Sequence, residues 1–251
     1  MIIPALSPLQ ILLVLLSPAV GSFLAVLYTR LPGGHDVISA RSTCHSCGAH
    51  LQARDLIPLL SYLFLRGKCR HCTAEIPAIL PLLEVAALTI ALLVVWHAPS
   101  DSTALLGMSY LWCLLTLGVI DLHYFRLPDP LTAALFVIGM GLAWVDPTRT
   151  LLDASLAALA GAAAFLAIRL GYQALRHREG LGLGDVKLMT GLGAGLGVLN
   201  LPLAVLFAAL SALLWALFQA GFKGASLQGK TALPFGSFLC LAGAAIWLWQ
   251  A

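Results

Sequence analysis

SYLWCLLTLGVIDLHYFRLPDPLTAALFVIGMGLAW, residues 109–144, carries an apolar run into Asp121, crosses a short link, and enters a second apolar run after Asp129 and Pro130. Stretches of about 20 apolar residues span a hydrocarbon core of roughly 30 Å, so this segment reads as two membrane helices joined on one side of a bilayer. Asp129 reads as the N-cap of the second helix, with proline at the first helical position. Asp121 has no such excuse. It closes a helix, where the dipole disfavours negative charge, and ionised side chains at the ends of hydrocarbon-spanning segments are expensive unless they work.

Working outward, the rest of the chain has the same character. It has 251 residues, 60% hydrophobic and 10% charged, with a mean hydropathy of +0.95. Soluble domains carry about a quarter charged residues, so an all-α integral membrane protein is expected. A net charge of +3 gives no support for nucleic acid as a partner; membrane lipid is the expected surrounding. Apolar spans fall near 8–29, 79–97, 103–120, 131–146, 152–174, 186–199, 202–220 and 233–250, about eight in all. The first reads as a retained helix, since no basic residue precedes it and Arg30 follows without a small-residue cleavage site.

Positive charge orients the set. With the N-terminus outside, Arg30, Arg41, Arg54, Arg66, Lys68, Arg70, Arg126, Arg169, Arg176, Arg178, Lys187, Lys223 and Lys230 fall on the cytoplasmic side. Only Arg149 falls outside, so eight spans with both termini external are expected. That topology puts Asp121 and Asp185 at the cytoplasmic ends of their helices.

Asp185 lies in GLGLGDVKLM, residues 180–189. Gly180, Gly182 and Gly184 permit close backbone approach and unusual dihedrals just ahead of it, a turn in which an extended peptide could lie beside the carboxylate. Taken alone, Asp185 also reads as the cap of the helix that follows. Its occurrence on the same membrane face as Asp121 favours a pair. Two carboxylates that meet share one proton, which is the chemistry of an aspartic protease. Gly191, Gly193, Gly195 and Gly197 would let the following helix pack tightly against a neighbour.

The one sizeable polar segment, about residues 31–78, holds CHSC (Cys44, Cys47) and CRHC (Cys69, Cys72) with 21 residues between the pairs. Four thiolates at this spacing close a tetrahedron around zinc, and a loop this short has little core of its own, so metal would supply much of its folding energy. Two disulfides or a redox pair are the alternative, but cytoplasmic thiols are normally kept reduced. Cys113 and Cys240 sit inside apolar runs and read as small core residues.

These marks together resemble the type IV prepilin peptidase family of leader peptidases and N-methyltransferases. The resemblance runs through GSFLAVLYTRLP, the double C-x-x-C enclosing DLIPLLSYLFLRGKCRHC, PLLE at Pro81 to Glu84, DLHYFRLPDPLT, GLGLGDVKLM and LPFGSFL. It implies that Asp121 and Asp185 are the catalytic pair, in D-x(6)-P-D and G-x-G-D elements, supported by Gly182, Gly184, Lys187 and Asp129. It implies an enzyme of the bacterial inner membrane acting on prepilins or pseudopilins, with residues 1–30 as the first helix, 31–78 as the zinc loop within a methyltransferase-associated region of about 15–97, and 98–251 as the peptidase.

Methyl transfer from S-adenosylmethionine is implied by the resemblance alone, with Glu84 a candidate for contacting an amine or the cofactor; the plain reading of Glu84 is a helix-end carboxylate paired with an arginine. The chain has Ala25 where members commonly carry asparagine, and Pro77 and Ala78 where they carry a tyrosine-bearing stretch. A leader peptidase without methyltransferase activity is therefore the first alternative. A transporter with a zinc module, or a lipid transferase holding Mg²⁺, are more distant ones. His123 and His177 lie near the expected pair, and Lys187 could stabilise a carboxylate or snorkel to headgroups.

Overall fold

In hydrocarbon every backbone N–H and C=O must find a partner within its own segment, so long apolar runs fold as helices. The computed structural model describes residues 6–37, 39, 41–177, 180–223 and 233–250. Arg178 and Lys230, two of the charges used to orient the chain, lie outside the described residues, as does the side chain of Lys223.

Among the described residues the chain is all-helical: α1 (Pro8–Arg30), α2 (Leu60–Phe64), α3 (Ile79–His97), α4 (Asp101–Tyr124), α5 (Asp129–Val145), α6 (Leu151–Arg176), α7 (Leu183–Leu196), α8 (Leu201–Lys223) and α9 (Phe235–Gln250). Every expected span has its helix. Five of them, α1, α3, α4, α6 and α8, are long and apolar enough to cross a membrane. Helices α5 and α9 are apolar but shorter, at 17 and 16 residues. With 14 residues, α7 is only about 21 Å long at 1.5 Å per residue.

The chain divides into two compact units, Met1–Met108 and Ser109–Ala251, the boundary falling inside α4. In the first unit α1 packs on α3. Contact is close because Gly21 has no side chain: a Cβ there would stand 2.8 Å from the Leu83 carbonyl oxygen and run into the Glu84 backbone. Helix α1 begins with a reciprocal cap, Ser7 Oγ accepting the Gln10 N–H at 3.1 Å while Gln10 Oε1 accepts the Ser7 N–H at 3.2 Å. It runs straight through Pro18, which cannot supply the N–H owed to the Val14 carbonyl. The buried hydroxyl of Ser17 donates to that carbonyl instead, at 2.7 Å.

In the second unit α7 packs against α5, α6 and α9 and is buried at Leu188, Met189 and from Gly191 to Leu196. Its glycines leave room for neighbours. A Cβ on Gly193 would lie 2.5 Å from the Ala157 carbonyl oxygen of α6, and one on Gly191 would lie 2.6 Å from Leu135 of α5. Polar groups close the ends. Tyr110 donates to the Gly191 carbonyl at 3.2 Å, and Arg149 donates to the carbonyls of Ala194 and Gly195 at 2.7 and 2.8 Å, placing a cation on the negative end of the α7 dipole.

Three local expectations are corrected. Helix α4 does not end at Asp121 but runs one turn further to Tyr124, where Phe125, at φ 53°, terminates it. Asp129 is not the N-cap of α5: Pro128 holds that position with extended dihedrals, and Asp129 is the first helical residue. Gly180, Gly182 and Gly184 do not adopt positive φ. Space is the reason for the first and third, since a Cβ would strike Tyr172 at Gly180 and Leu127 at Gly184, the latter at 3.0 Å.

Two glycine substitutions separate packing from propensity. In Gly193→Ala the new methyl has no room beside the Ala157 backbone, so destabilisation of about 1–3 kcal/mol is expected. At Gly171 of α6 nothing lies within 4 Å, so Gly171→Ala should be neutral or stabilising by up to about 1 kcal/mol. Thermal unfolding of both in the same detergent checks the contrast.

Candidate functional site

Helix α5 leaves the end of the second unit at which α4 finishes, and α7 and α9 start there too. This follows from the side-chain contacts. Lys187 in the first turns of α7 pairs with Asp129 at the start of α5, Nζ to Oδ1 2.6 Å, and Ser237 near the start of α9 reaches Asp121 near the end of α4. The opposite end holds Arg149 and the C-terminus of α7. Asp121 and Asp185 are therefore at one end of the unit.

Asp121 is 6% exposed and Asp185 9%. Oδ2 of Asp121 accepts the Ser237 N–H at 2.7 Å and the Ser237 hydroxyl at 3.1 Å. The same hydroxyl lies 2.8 Å from the Gly118 carbonyl. Gly236 makes room for the carboxylate, since a Cβ there would stand 3.0 Å from Asp121 Oδ2 and 3.0 Å from Leu127. Asp185 is the third residue of α7 and reaches back to the N–H of Gly182, the N-cap. The two carboxylates lie within electrostatic reach of each other. Leu127 packs between Gly184 and Gly236, joining the elements that carry them.

The other polar residues named from sequence are placed differently. Lys187 and Asp129 satisfy one another at the surface, a type of pair worth at most about 1 kcal/mol. His123 is exposed, its ring nitrogen 3.0 Å from the Val119 carbonyl, and His177 ends α6 in a left-handed conformation. Ser237 and Arg149 were not singled out for the roles they take. Ser237 is one small polar residue in LPFGSFL, and no periodicity in the sequence points from it to residue 121.

In the first unit the cysteines form two matched turns. Cys44 accepts the Gly48 N–H at 2.9 Å and its own N–H goes to Ala49; Cys69 accepts from Thr73 at 3.0 Å and donates to Ala74. Gly48 and Thr73, each four residues after the leading cysteine, both take positive φ. The four sulfurs lie within 4.8 Å of one another, and Cys44 Sγ is 3.8 Å from Cys72 Sγ. That is far too long for a disulfide and equals the edge of a tetrahedron with metal–sulfur bonds of about 2.3 Å, roughly 3.8 Å. The N–H groups of Cys47 and Ser46 pull the Cys44 thiol down to about 6. Cys72 is pushed up to about 11: the Ala74 N–H opposes this, but burial and the adjacent sulfurs outweigh it. Asp55, nearly enclosed, is disfavoured by burial yet held below the usual carboxylate range by Arg70 at 2.8 Å and by the Gln52 N–H.

Beside the thiols a cavity of about 560 Å³ is bounded by α1, the loop and α3, with Arg30, Asp36, Tyr62, Arg70 and Glu84 in its wall. Glu84 is buried, and among the described residues it is not paired with an arginine. Its Oε2 accepts the backbone N–H of Leu59 at 2.7 Å, a residue at φ 59°.

Helices of membrane length, two buried aspartates at one end of a bundle and a four-thiol module define a class of membrane protein. Residues 15–98 match the bacterial peptidase A24 N-terminal domain, and residues 108–217 match the type IV leader peptidase family. The chain is 36% identical to the prepilin leader peptidase/N-methyltransferase of Burkholderia pseudomallei strain 1026b, over 86% of this chain and 69% of that one. It is 37% identical to the type 4 prepilin-like proteins leader peptide-processing enzyme of Escherichia coli O78:H11, covering 82% and 74%. With the prepilin leader peptidase/N-methyltransferase of Aeromonas hydrophila it shares 32% over 95% and 90%. No solved structure matches. The chain belongs to the type IV leader peptidase family, as its motifs indicated.

Ser237 bonds α9 to α4 through its hydroxyl. Ser237→Ala keeps the N–H to Asp121 and loses the rest, so a stability loss of about 1 kcal/mol is expected. Thermal unfolding against the parent protein measures it.

Proposed function

We propose that this protein is a membrane aspartic endopeptidase that removes the short basic leader of prepilins or pseudopilins, with Asp121 and Asp185 as its catalytic pair. The observation that carries the reading is the burial of both carboxylates at one end of the second unit, in a chain of this family. All the helices except α2 are taken as membrane-embedded in this reading, the shorter α5, α7 and α9 through packing against their neighbours. Charge placement puts both termini outside and the aspartates and thiol loop on the cytoplasmic side of a bacterial inner membrane. Residues 98–251 form the peptidase in this reading, residues 1–30 the first helix, and residues 31–78 the metal loop of a methyl-transfer region at about 15–97.

The chemistry follows from the hydrogen bonds. The Ser237 N–H donates to Asp121 Oδ2, and the Ser237 hydroxyl, shared with the Gly118 carbonyl, lies 3.1 Å from the same oxygen; in this assignment Asp121 is the base. Two interacting carboxylates hold one proton between them, and here it sits on Asp185. Asp121 takes a proton from water, whose oxygen adds to the scissile carbonyl carbon while Asp185 gives its proton to the carbonyl oxygen. The tetrahedral adduct then breaks at its C–N bond. Asp121 passes its proton to the departing amine, and Asp185 recovers the hydroxyl proton as the new carboxyl forms. A basic leader that stays in the cytoplasm and an apolar segment that lies in the bilayer would put the cut at the level of these helix ends.

The thiol cluster fits zinc by donor chemistry and by its 3.8 Å edge. Cys44, Cys47, Cys69 and Cys72 would hold it as a structural ion. The adjoining cavity fits S-adenosylmethionine in size and in offering a buried carboxylate to a cationic group; the cofactor, when bound, supplies an electrophilic methyl group. Glu84, with Oε2 committed to Leu59, presents its other oxygen to an amine or to the cofactor. A second reading, cleavage without methylation, is kept by Ala25 and Pro77, two of the three family departures, because both line this cavity, while Ala78 is not in its lining.

Asp121→Asn and Asp185→Asn should each lower prepilin cleavage by about 10²-fold or more while the protein stays in the membrane; near-parental turnover in either variant removes it from the pair. Metal analysis of the purified protein should find one zinc per chain, falling to none in Cys44→Ser/Cys72→Ser. Weighing the processed pilin separates the two readings: a product heavier by one methyl supports transfer, and its loss in the cysteine variant with cleavage retained assigns methylation to the first unit.

A further inference from the structure

The loop that carries the thiols also carries an apolar surface that no described residue of the first unit covers. Leu56, Ile57, Leu60, Leu63 and Phe64 are 43, 46, 53, 70 and 85% exposed. Ser61, Tyr62 and Leu65 line the cavity on the other side, and Leu56 borders both, so Ile57, Leu60, Leu63 and Phe64 form the outward face. A water-facing loop does not expose such a cluster without a partner.

We propose that Leu56–Phe64 is an interfacial anchor, its apolar side chains seated in the acyl region of the leaflet on the side where α3 begins. Three observations select lipid as the occupant. The segment is tied to a spanning helix near the end of that helix: Leu59 N–H donates to Glu84, the sixth residue of α3, so its height is fixed about two turns or less from the start of the span. Helix α3 itself exposes Leu82 and Val85 at that level, at 57 and 47%, surfaces that only hydrocarbon suits in a membrane-spanning helix. Exposed Arg54, Arg66 and Lys68 flank the cluster, the pattern of a segment that buries its apolar face while its cations meet anionic headgroups. The anchor holds the thiol turns against the membrane surface, where a peptide end emerging from the bilayer would arrive. This inference rests on the membrane-spanning reading above, and on no catalytic assignment.

The test uses the full chain with p-benzoyl-phenylalanine in place of Phe64, reconstituted into nanodiscs of phosphatidylethanolamine and phosphatidylglycerol, irradiated and weighed intact. The same probe replaces Leu92 in the middle of α3, 54% exposed, and exposed Ser46 in the first thiol turn. Lipid adducts are expected at positions 64 and 92 and at least five-fold fewer at 46. Adducts at 92 with none above the position-46 level at 64 overturn the anchor while the spanning reading stands, and failure at 92 overturns both. Adducts at 64 to a second copy of the chain, or to co-reconstituted prepilin, also overturn it in favour of a protein partner. Because the readout is a covalent mass, it does not depend on peptidase or methyltransferase activity.

Discussion

The second unit depends on how closely neighbours can approach α7. With about 21 Å of helix it cannot present a long lipid-facing surface, and its residues from Gly191 to Leu196 are buried. A bilayer gives little hydrophobic drive for one helix to enclose another, so the enclosure must come from van der Waals contact at close approach to the α7 backbone. Glycines at 191, 193 and 195 provide it, against Leu135, Ala157 and Tyr110. A short helix also leaves terminal backbone groups to be met from outside it: Arg149 takes the carbonyls of Ala194 and Gly195 at one end, and the Asp185 carboxylate turns back on the Gly182 N–H at the other.

This arrangement bears on the aspartates. A carboxylate buried without partners is costly, and Asp121 is held by two donors from one serine while Gly236 and Gly118 keep α9 close enough for them to reach. Asp185 stands on the helix that the glycine contacts immobilise. Positioning on rigid helices rather than on a loop is what the pair proposed above would require, since a catalytic constellation must be held to a narrow geometry.

The sequence makes the helices legible because hydropathy responds to length and composition alone; each expected span from 8–29 to 233–250 meets its helix within a few residues. It makes Asp121, Asp185 and the cysteines stand out because each is chemically misplaced in its surroundings. Boundaries are less legible. Phe125 ends α4 in a conformation usually given to glycine, so no residue type announces that α4 passes Asp121 by a turn. Partners across the fold are least legible. Ser237 is 116 residues from Asp121, and Glu84 takes a backbone N–H, a partner that neither sequence reading of it, an arginine or an amine or cofactor, names. The glycines before Asp185 invited a conformational explanation, yet their φ angles are ordinary and two of the three are needed for space beside Tyr172 and Leu127.

The thiol turns show how little of the first unit's loop is held by packing. Two isolated bridges, Thr43 with His50 and Lys68 with Glu75, close them, and Cys69 and Gly67 are buried while most of their neighbours are not. The second turn tolerates Thr73 at φ 58° where the first has Gly48, a strain of about 1–2 kcal/mol for a residue with a Cβ. A few apolar contacts cannot offset that together with the entropy of ordering the chain, about 1–2 kcal/mol per residue. Forces from outside the loop's own packing are required: the cation proposed for the four sulfurs, the Arg70–Asp55 pair, and Glu84 reaching from α3 to fix Leu59. The last of these makes the loop's geometry conditional on the helix, so a change at Glu84 would be felt at the thiols as well as in the cavity, even though the carboxylate itself touches no cysteine.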